Sequence, residues 1–595
     1  MLRLLSCCCF WLLFQFPILA LEVHILDWGI EGYTSRSHVA RALVAIGNTG
    51  TENRQFQLMF RLHPAEPNVS VRTVLQRVLV GPGQTHLIEA PLPVSRYINF
   101  DFLEVEVRHP DGGVLGRATR TLEPIGPSQN DIPIGLYCQQ DGVCRELQTQ
   151  ITFSGSIEQQ GDKAKYLRFL RIRYPPRHGW GYFPLDYVLL AQPLDALNDD
   201  QRLALENFVR SGGHLILIES QVADKTFLRN YRQRPPAGEE QRIGLGSIIR
   251  VSTIGHLGSR FVAMKDFKRA AHEPEVSIND PLGYLQQRVG TVYLFPSLLW
   301  LLSWLCTFLL AVGPLNFAVL RRLRRPELGW VTIPAISLVF AALLYFASLA
   351  RRPSDASLDE ISISEMDDRG VQAVVATRVR VSSPTKANLK LRLEREAILS
   401  NEYEPGDYEH HVGGRGRNYY DLGPPLELDY SLRHLSYAEA TFLSVQEFPG
   451  TLQKDGSRLL NRTGKSFRDA LYITQKHLYF LGPLAAGSAV VLDSVRHEAL
   501  ADYAGRNLFW SSNELDRRLS SADFGQESER LRHRPFSLVE FVEAWSRDSW
   551  NQFFKSHDAL FLGVSEDAAL TAQLHDRYAA RKRAIIIAVR FVPEP

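Results

Sequence analysis

Two short stretches of the chain contain the residue types that nucleophilic catalysis uses. Ser220 follows the apolar run 214–218, which begins with His214, and Cys138 follows another apolar run, 132–137. A hydroxyl or thiol becomes an effective nucleophile when a base such as histidine lies within hydrogen-bonding reach. No glycine flanks Ser220 to form a sharp turn, so the pattern does not predict a triad. We therefore assign no catalytic residue from the sequence.

Two further motifs have residue types that bind metals or phosphates. Glu409-His410-His411 could supply metal ligands, but adjacent residues of a strand point to opposite faces, so one ion would not take both histidines. The glycine-rich run 413–417 lacks the Lys-Ser/Thr of a phosphate-binding loop. We predict neither a metal site nor a cofactor site at these positions.

Composition excludes some classes of protein. The chain has 595 residues, with 67 Lys+Arg against 65 Asp+Glu, and a net charge of +2. This balance argues against a nucleic-acid-binding protein, which usually carries a strongly basic domain. Hydrophobic residues at 45% and charged residues at 22% are typical of folded domains. The length predicts about three or four of them.

The first twenty residues resemble a secretory signal peptide. Arg3 gives a positive start, residues 4–19 are mostly apolar, and Ala20 is a small residue at a plausible cleavage position. Ile18 fits the small-residue rule for cleavage poorly, so an uncleaved anchor remains the alternative. In both cases we expect the following segment to be exported.

Cysteine placement agrees with export. Of the six cysteines, only Cys138 and Cys144 lie outside the signal segment and the apolar spans. Thiols outside the cytosol are often paired, so a Cys138–Cys144 disulfide is one interpretation. Two reduced thiols remain the other, because spacing alone does not show that the sulfurs meet.

The strongest pattern is a pair of apolar spans. Residues 291–320 and 328–350 contain no charged side chain, and a helix needs about 20 apolar residues to cross a bilayer. The loop 321–327 between them contains four arginines: Arg321, Arg322, Arg324 and Arg325. Short Arg-rich loops stay in the cytoplasm. Both flanking segments, and hence most of the mass, are then predicted to lie outside the cytoplasm.

Residues 21–125 have the pattern of an all-β segment. Phe56, Leu58 and Phe60 alternate with polar residues, and Leu103 and Val105 do the same. Period-two apolarity predicts strands with one buried face. Regular short strands separated by Gly-rich turns predict an immunoglobulin-like β-sandwich.

Residues 130–270 change to an α/β pattern. The apolar runs 132–137, 186–191 and 214–218 are typical of buried parallel strands. A helix is expected to begin after Asn198, which forms a capping box with Gln201, and to end at Gly212. We predict a doubly wound, flavodoxin-like sheet.

This region also resembles a known fold family. The succession Asp186–Leu190, Leu197–Arg202 and Phe208–Leu217 resembles the class I glutamine amidotransferase-like fold. The segment from Val312 to Pro334 is similar to bacterial membrane-anchored proteins that carry such a domain outside the cytoplasm. The resemblance implies this architecture, at the bacterial plasma (inner) membrane, and no particular reaction. The nucleophilic cysteine of true amidotransferases, in a Gly-x-Cys-x-Gly-like turn, has no counterpart after the run 214–218.

Residues 353–595 are predicted to be β-rich, with apolar strands at 371–381, 389–393, 559–564 and 585–591. Near the C-terminus, a basic cluster (Arg577, Arg581, Lys582 and Arg583) is interpreted as a solvated helix face, with contact to anionic headgroups or a partner as the alternative. The whole chain is therefore expected to be multidomain α+β: a β-sandwich, an α/β domain, a two-helix transmembrane hairpin and a C-terminal β-rich domain.

Two functional hypotheses follow. The first is a non-enzymatic, membrane-anchored envelope protein that contacts membrane lipids and binds an envelope protein partner; the sequence leaves the identity of any small-molecule ligand open. The second is a hydrolase or amidotransferase-like enzyme outside the cytoplasm, using Cys138 or Ser220. The missing nucleophile turn favours the first.

Overall fold

The computed structural model of the chain describes residues 21–34, 39–65, 71–94, 100–122, 131–138, 141–154, 166–191, 196–218, 240–251, 298–351, 356–368, 372–383, 386–393, 397–403, 419–421, 426–432, 436–448, 450–504, 538–539, 542, 550–551, 553–554, 558–565, 572–575 and 581–591. The signal segment 1–20, Ser220 and the motifs at 409–417 lie outside these residues.

The described chain is mostly sheet with few helices, which confirms a mixed α and β class at this level. Its strands are β1 (Leu21–Trp28), β2 (Val39–Asn48), β3 (Arg54–Pro64), β4 (Arg72–Val80), β5 (Thr85–Pro93), β6 (Phe100–Arg108), β7 (Val114–Thr121), β8 (Asp131–Tyr137), β9 (Tyr166–Arg171), β10 (Tyr187–Leu190), β11 (His214–Ile218), β12 (Glu240–Ile243), β13 (Gly246–Val251), β14 (Ser357–Asp367), β15 (Gln372–Ser383), β16 (Ala387–Leu393), β17 (Ile398–Tyr403), β18 (Tyr419–Asp421), β19 (Leu426–Leu432), β20 (Ser436–Glu447), β21 (Leu452–Asp455), β22 (Arg458–Asn461), β23 (Asp469–Thr474), β24 (His477–Phe480), β25 (Ala489–Val491), β26 (His497–Ala499), β27 (Ala559–Ser565), β28 (Ala572–His575) and β29 (Arg581–Phe591). Its helices are α1 (Asp141–Ser154), α2 (Asp199–Arg210), α3 (Leu298–Leu310), α4 (Asn316–Arg322) and α5 (Gly329–Arg351), with 3₁₀ turns at Gly179–Tyr182, Pro326–Leu328, Leu492–Ser494 and Leu500–Asp502.

The first β-rich segment contributes strands to two sheets that share one core. Strands β1, β2 and β5 form a three-stranded antiparallel sheet, and β3, β4, β6 and β7 lie in a second sheet. Phe56, Leu58 and Phe60 of β3 are buried in this core together with Val44 of β2. The period-two pattern thus predicted the buried face of β3 correctly.

The second of these sheets also contains strands from the end of the chain. Its order is β28-β16-β19-β18-β4-β3-β6-β7, and β18 pairs in parallel with β4, Tyr419 lying opposite Thr73. Leu391 and Phe442 belong to the same core as Phe56. The segments 21–125 and 353–595 therefore share a sheet and a core. Alternating apolarity specifies which face of a strand is buried, but not which distant strand lies beside it.

The α/β segment forms a six-stranded sheet in the order β12-β13-β11-β10-β8-β9. All neighbouring strands run parallel except β12, which is antiparallel to β13. Val188 and Leu190 face α2, where Leu205 and Phe208 are buried, whereas Leu189 packs on the face that α1 covers. Because both faces are covered, these strands are continuously apolar, as parallel strands usually are.

Helix α2 has the predicted ends. Asn198 accepts from the backbone N–H of Gln201 at 2.9 Å, and the Gln201 side chain accepts from the Asn198 N–H at 3.1 Å, which completes the capping box. At the other end Gly212 has φ of 114°, a conformation that side chains with a Cβ rarely adopt. The strand–helix–strand unit β10–α2–β11 is thereby confirmed.

Two helical stretches, Leu302–Arg322 and Pro326–Ala347, are long and apolar enough to cross a membrane. Only 6% and 0% of their most apolar windows are buried within the protein, so they are not core helices. They form a hairpin: Trp304 and Phe308 of α3 contact Phe340 of α5, with ring centroids 5.7 and 5.4 Å apart. The backbone is π-helical over Ala311–Leu315, which contains Pro314.

A nine-stranded sheet, in the order β17-β20-β15-β14-β29-β27-β23-β24-β26, and a three-stranded sheet, in the order β21-β22-β25, contain the other described C-terminal strands. Strand β29 pairs in parallel with β14, so that Lys582 lies opposite Asp359 and Arg583 opposite Glu360. The interpretation of Arg581, Lys582 and Arg583 as a solvated helix face is therefore wrong, because they begin a central strand. Arg577 lies outside the described residues.

Candidate ligand cleft

His214 lies within hydrogen-bonding reach of a serine, but both side chains are buried at the amino ends of their strands. It lies at the amino end of β11, is buried, and its Nδ1 lies 2.8 Å from Oγ of Ser247 on the neighbouring strand. Its ring also stacks on Tyr187, with centroids 4.8 Å apart. In α/β sheets ligands bind at the opposite, carboxyl ends of the strands. His214 therefore belongs to a row of side chains across three neighbouring strands, in which Tyr187 packs on one side of it and Ser247 forms a hydrogen bond on the other.

Cys138 and Cys144 are joined by a disulfide, with Cα atoms 5.8 Å apart. Cys138 directly follows β8, and Cys144 lies in the first turns of α1; both are buried. Strand β8 has β9 on one side and β10 on the other, so the order in which strands are added to the sheet reverses at β8. The disulfide ties α1 to the strand end where α/β sheets usually have their binding crevice.

A cleft of about 540 Å³ lies between the α/β segment and the nine-stranded sheet. Helix α2 and the 3₁₀ turn Gly179–Tyr182 form one wall, and β15, β17 and β20 form the other. Its lining residues are Arg177, His178, Gly179, Trp180, Phe183, Asp200, Leu203, Ala204, Asn207, Ser211, Val374, Ile398, Leu443, Ser444 and Val445. Its size and its position between segments are those of ligand sites in general.

The cleft has an apolar floor and a mixed mouth. Trp180, Phe183 and Leu443 are buried at the floor, whereas Leu203 is 57% exposed and Val445 is 39% exposed at the mouth. Leu203 belongs to the α2 wall and Val445 to the β20 wall, so each wall has an exposed apolar side chain at the mouth.

Polar side chains at the mouth come from two elements. Arg177 and His178 precede the 3₁₀ turn, Asp200 is in the first turn of α2, and all three are exposed. The ring of His178 stacks on Trp180 at 5.5 Å with the planes 8° apart. The mouth thus offers a cation, a carboxylate and a stacked aromatic surface around an apolar floor.

A buried ion pair fixes the backbone that carries Arg177 and His178. Arg41 of β2 and Glu89 of β5 are bonded at 2.9 Å, and their side chains are 1% and 5% exposed. Arg41 also donates to the carbonyl of Tyr174 at 2.8 Å, and Glu89 accepts from the backbone N–H of Arg177 at 3.1 and 3.2 Å. Breaking such a pair leaves a buried charge uncompensated, which is strongly destabilising. The N-terminal sheet therefore positions one wall of the cleft.

Tyr182 lies close to this ion pair and is fully buried. Burial raises the pKa of its phenol far above the ordinary value, and the positive charge of Arg41 offsets part of that effect. The phenol is therefore neutral, and its ring packs against Phe208 of α2 at 5.4 Å. Tyr182 contributes to the packing of the wall and supplies no charge to the cleft.

The four arginines of the inter-helix loop are all exposed. Arg321 and Arg322 end α4, and Arg324 and Arg325 lie in the short connection that follows. Arg324 has φ of 53°, which is uncommon for a residue with a Cβ. The turn holds the four side chains at one end of the hairpin.

Within the part of the chain that the structure describes, no group of three or more His, Cys, Asp or Glu side chains is arranged to hold a metal ion. The sequence did not predict the cleft, because its walls come from segments far apart in the chain. One feature of the sequence could have indicated the cleft: Leu203 is an apolar residue of α2 that lies off the apolar stripe formed by Leu205 and Phe208.

Comparisons with known proteins add no family. No family model matches the chain, and no curated protein matches it. Among solved structures, a GH3 β-glucosidase from Bifidobacterium adolescentis is 14% identical, with 18% of each chain covered and a TM-score of 0.14. A β-glucuronidase from Bacteroides uniformis is 11% identical over 36% of this chain and 29% of that one, with a TM-score of 0.15. The yeast delta-COP-I mu-homology domain is 8% identical over 40% of this chain and 95% of that one, with a TM-score of 0.18. At these scores the likenesses support no argument about fold or function.

Proposed function

We propose that this chain is a membrane-anchored protein of the bacterial cell envelope that acts by binding a partner, and not as an enzyme. The observation on which the proposal depends is the α3–α5 hairpin. Its apolar side chains point away from the protein over both long stretches. Exposing so much apolar surface to water would be costly, whereas a bilayer accepts it.

The topology of the proposal follows from the arginine loop. With Arg321, Arg322, Arg324 and Arg325 on the cytoplasmic side, both flanking segments lie outside, in contact with the membrane only at the hairpin. The Cys138–Cys144 disulfide is consistent with this, since disulfides persist in oxidising compartments. The shared sheet of β4 and β18 also requires both flanks to be on the same side of the membrane.

For the α/β segment we propose a doubly wound, glutamine amidotransferase-like domain that has no nucleophile. The parallel strand order and the helices on both faces support this fold. The alternative, a hydrolase or amidotransferase-like enzyme, would use Cys138 or Ser220. The sulfur of Cys138 is in a disulfide with Cys144, and His214 and its hydrogen-bonding partner Ser247 are both buried at the amino ends of their strands, so neither supports that alternative.

The cleft is the proposed contact site for the partner, an envelope protein with an apolar side chain that enters between Leu203 and Val445. A photo-crosslinking amino acid at either position in the full chain, expressed in bacterial cells, should capture that protein. Leu79 of β4 is the matched control, because it is 61% exposed and lies away from the cleft. Equal adduct formation from all three positions, or none from Leu203 and Val445, would contradict the proposal.

The anchor is tested separately. Protease added to intact spheroplasts should digest both flanks, and replacing the four loop arginines by glutamine should reduce the fraction of chains with this orientation. Flanks that resist protease until the cells are lysed would contradict the topology. Release of the chain from membranes by alkaline carbonate would contradict the anchor.

A further inference from the structure

Two histidines at one edge of the nine-stranded sheet lie close together on one face. His477 is in β24 and His497 in β26, the last strand of the sheet, with Tyr479 directly opposite His497. The two imidazole centroids are 5.5 Å apart with ring planes at 89°. His497 is exposed and His477 is partly exposed, so solvent reaches the pair.

This separation fits two ligands of one metal ion. Metal–nitrogen bonds of about 2.0–2.1 Å place the centroids of two imidazoles on a tetrahedral ion roughly 5–5.5 Å apart. We propose that His477 and His497 form a two-imidazole site for a divalent transition-metal ion, with water completing the coordination. The tetrahedral spacing is that of Zn²⁺; imidazole nitrogen also suits Cu²⁺, which binds more tightly and is the probe in the titration.

Local contacts orient the ring of His497 and fix the backbone at His477. Nδ1 of His497 lies 3.4 Å from the carbonyl of Val495, and because a carbonyl only accepts, this contact favours the tautomer with hydrogen on Nδ1. The lone pair of Nε2 is then available to the ion, which is the usual arrangement for a ligating histidine. The backbone N–H of His477 donates to Oγ1 of Thr474 at 3.0 Å, which fixes the turn before β24.

Neighbouring side chains leave this face open and the opposite face occupied. The ring of Tyr479 lies beside that of His497, with centroids 5.3 Å apart and planes tilted by 34°, and so restrains it. Glu498 points to the other face, where it is bonded to Arg496 and Tyr503. Among the cysteines that the structure describes, Cys138 and Cys144 are disulfide-bonded and Cys306 is in α3, so none of these three lies at the two histidines.

The test is titration of the full-length, detergent-solubilised chain with Cu²⁺, followed by calorimetry and by electron paramagnetic resonance, which counts coordinated nitrogens. His477→Phe and His497→Phe keep an aromatic ring on the strand and remove the ligand nitrogen. His86→Phe, at an exposed histidine of β5, is the control for the other histidines.

The wild type and the His86→Phe variant should show a site with two nitrogen ligands. His477→Phe and His497→Phe should each weaken Cu²⁺ affinity by on the order of ten- to a hundredfold. Loss of a residue that only supports a metal ligand already has an effect of that size. An unchanged isotherm and nitrogen count in a variant that carries both His477→Phe and His497→Phe would show that the two rings only pack against each other. An equal loss in His86→Phe would likewise overturn the proposal.

Discussion

Helix α2 and the hairpin helices contain the same kinds of apolar residue and place them in opposite environments. In α2, Leu205 and Phe208 are buried against the parallel sheet. In the hairpin, Leu309 is 57% exposed and Phe346 is 64% exposed. The difference reflects the surroundings of each helix. Helix α2 has one apolar stripe, which packs on the sheet, and a polar face toward water, whereas the hairpin helices are apolar all round.

The comparison shows that the exposed fraction of an apolar side chain does not by itself reveal whether water or lipid surrounds it. Leu203 of α2 and Leu309 of α3 are both 57% exposed. Leu203 is an isolated leucine at the mouth of a cleft, and Leu309 belongs to a continuous apolar span. The same substitution should therefore have different effects at the two positions, and the following predictions use that contrast.

Phe208→Ala should have the largest effect. The ring is fully buried between α2 and the sheet, so its removal leaves a cavity and should lower the free energy of unfolding by about 3–5 kcal/mol. Urea unfolding of the solubilised chain, followed by pulse proteolysis, measures this. Leu203→Ala is the control and should remain within about 0.5 kcal/mol of wild type. Equal effects would show that α2 is not packed as described.

Leu309→Lys should cost about 2.5–3.5 kcal/mol of membrane-insertion free energy, since a lysine near the centre of a span must leave water. Leu203→Lys, at the same exposure, should leave insertion unchanged. The carbonate-resistant fraction of each variant measures the difference. If both variants remain equally integrated, the lipid environment proposed for α3 is wrong.

Replacing both Cys138 and Cys144 by serine should cost about 2 kcal/mol of unfolding free energy, because the disulfide closes a short loop in the unfolded chain. The loss is expected in the α/β segment alone, with the hairpin still integrated. Dithiothreitol should reproduce it in the wild type and have no effect on the variant. A reductant effect of equal size in both would assign the loss to another cause.

Asn198→Ala should have the smallest effect, about 1 kcal/mol, because one backbone N–H at the start of α2 loses its acceptor. Thermal unfolding monitored by circular dichroism is sufficient to detect it. Asn198→Ser keeps a capping oxygen and should be close to wild type. If serine is as destabilising as alanine, the side-chain volume matters and not the cap.

Features determined by neighbouring residues were predictable from the sequence. The capping box at Asn198 and the positive φ of Gly212 depend on local geometry, and the two apolar spans depend on composition over one continuous stretch. All of these patterns appear in the structure as expected.

Features that depend on distant partners were not predictable. The basic run at Arg581 appeared to be a solvated helix face, since nothing near it indicates that β14 would bring Asp359 and Glu360 alongside. The cleft required strand β20, at Val445, to approach α2. His477 and His497 became neighbours only through the register of β24 and β26. Such pairings are set by the packing of whole sheets, which a single sequence does not specify.

The pairing of β4 with β18 has a consequence for biogenesis. The ribosome completes Tyr419 only after the whole hairpin has been made, so the edge of β4 stays uncovered while translation and translocation continue. Long-range strand pairing is slow, and an uncovered edge invites pairing with other chains. A chain that stops after α5 should therefore aggregate at the membrane surface, and maturation of the N-terminal strands must await export of the last third of the polypeptide.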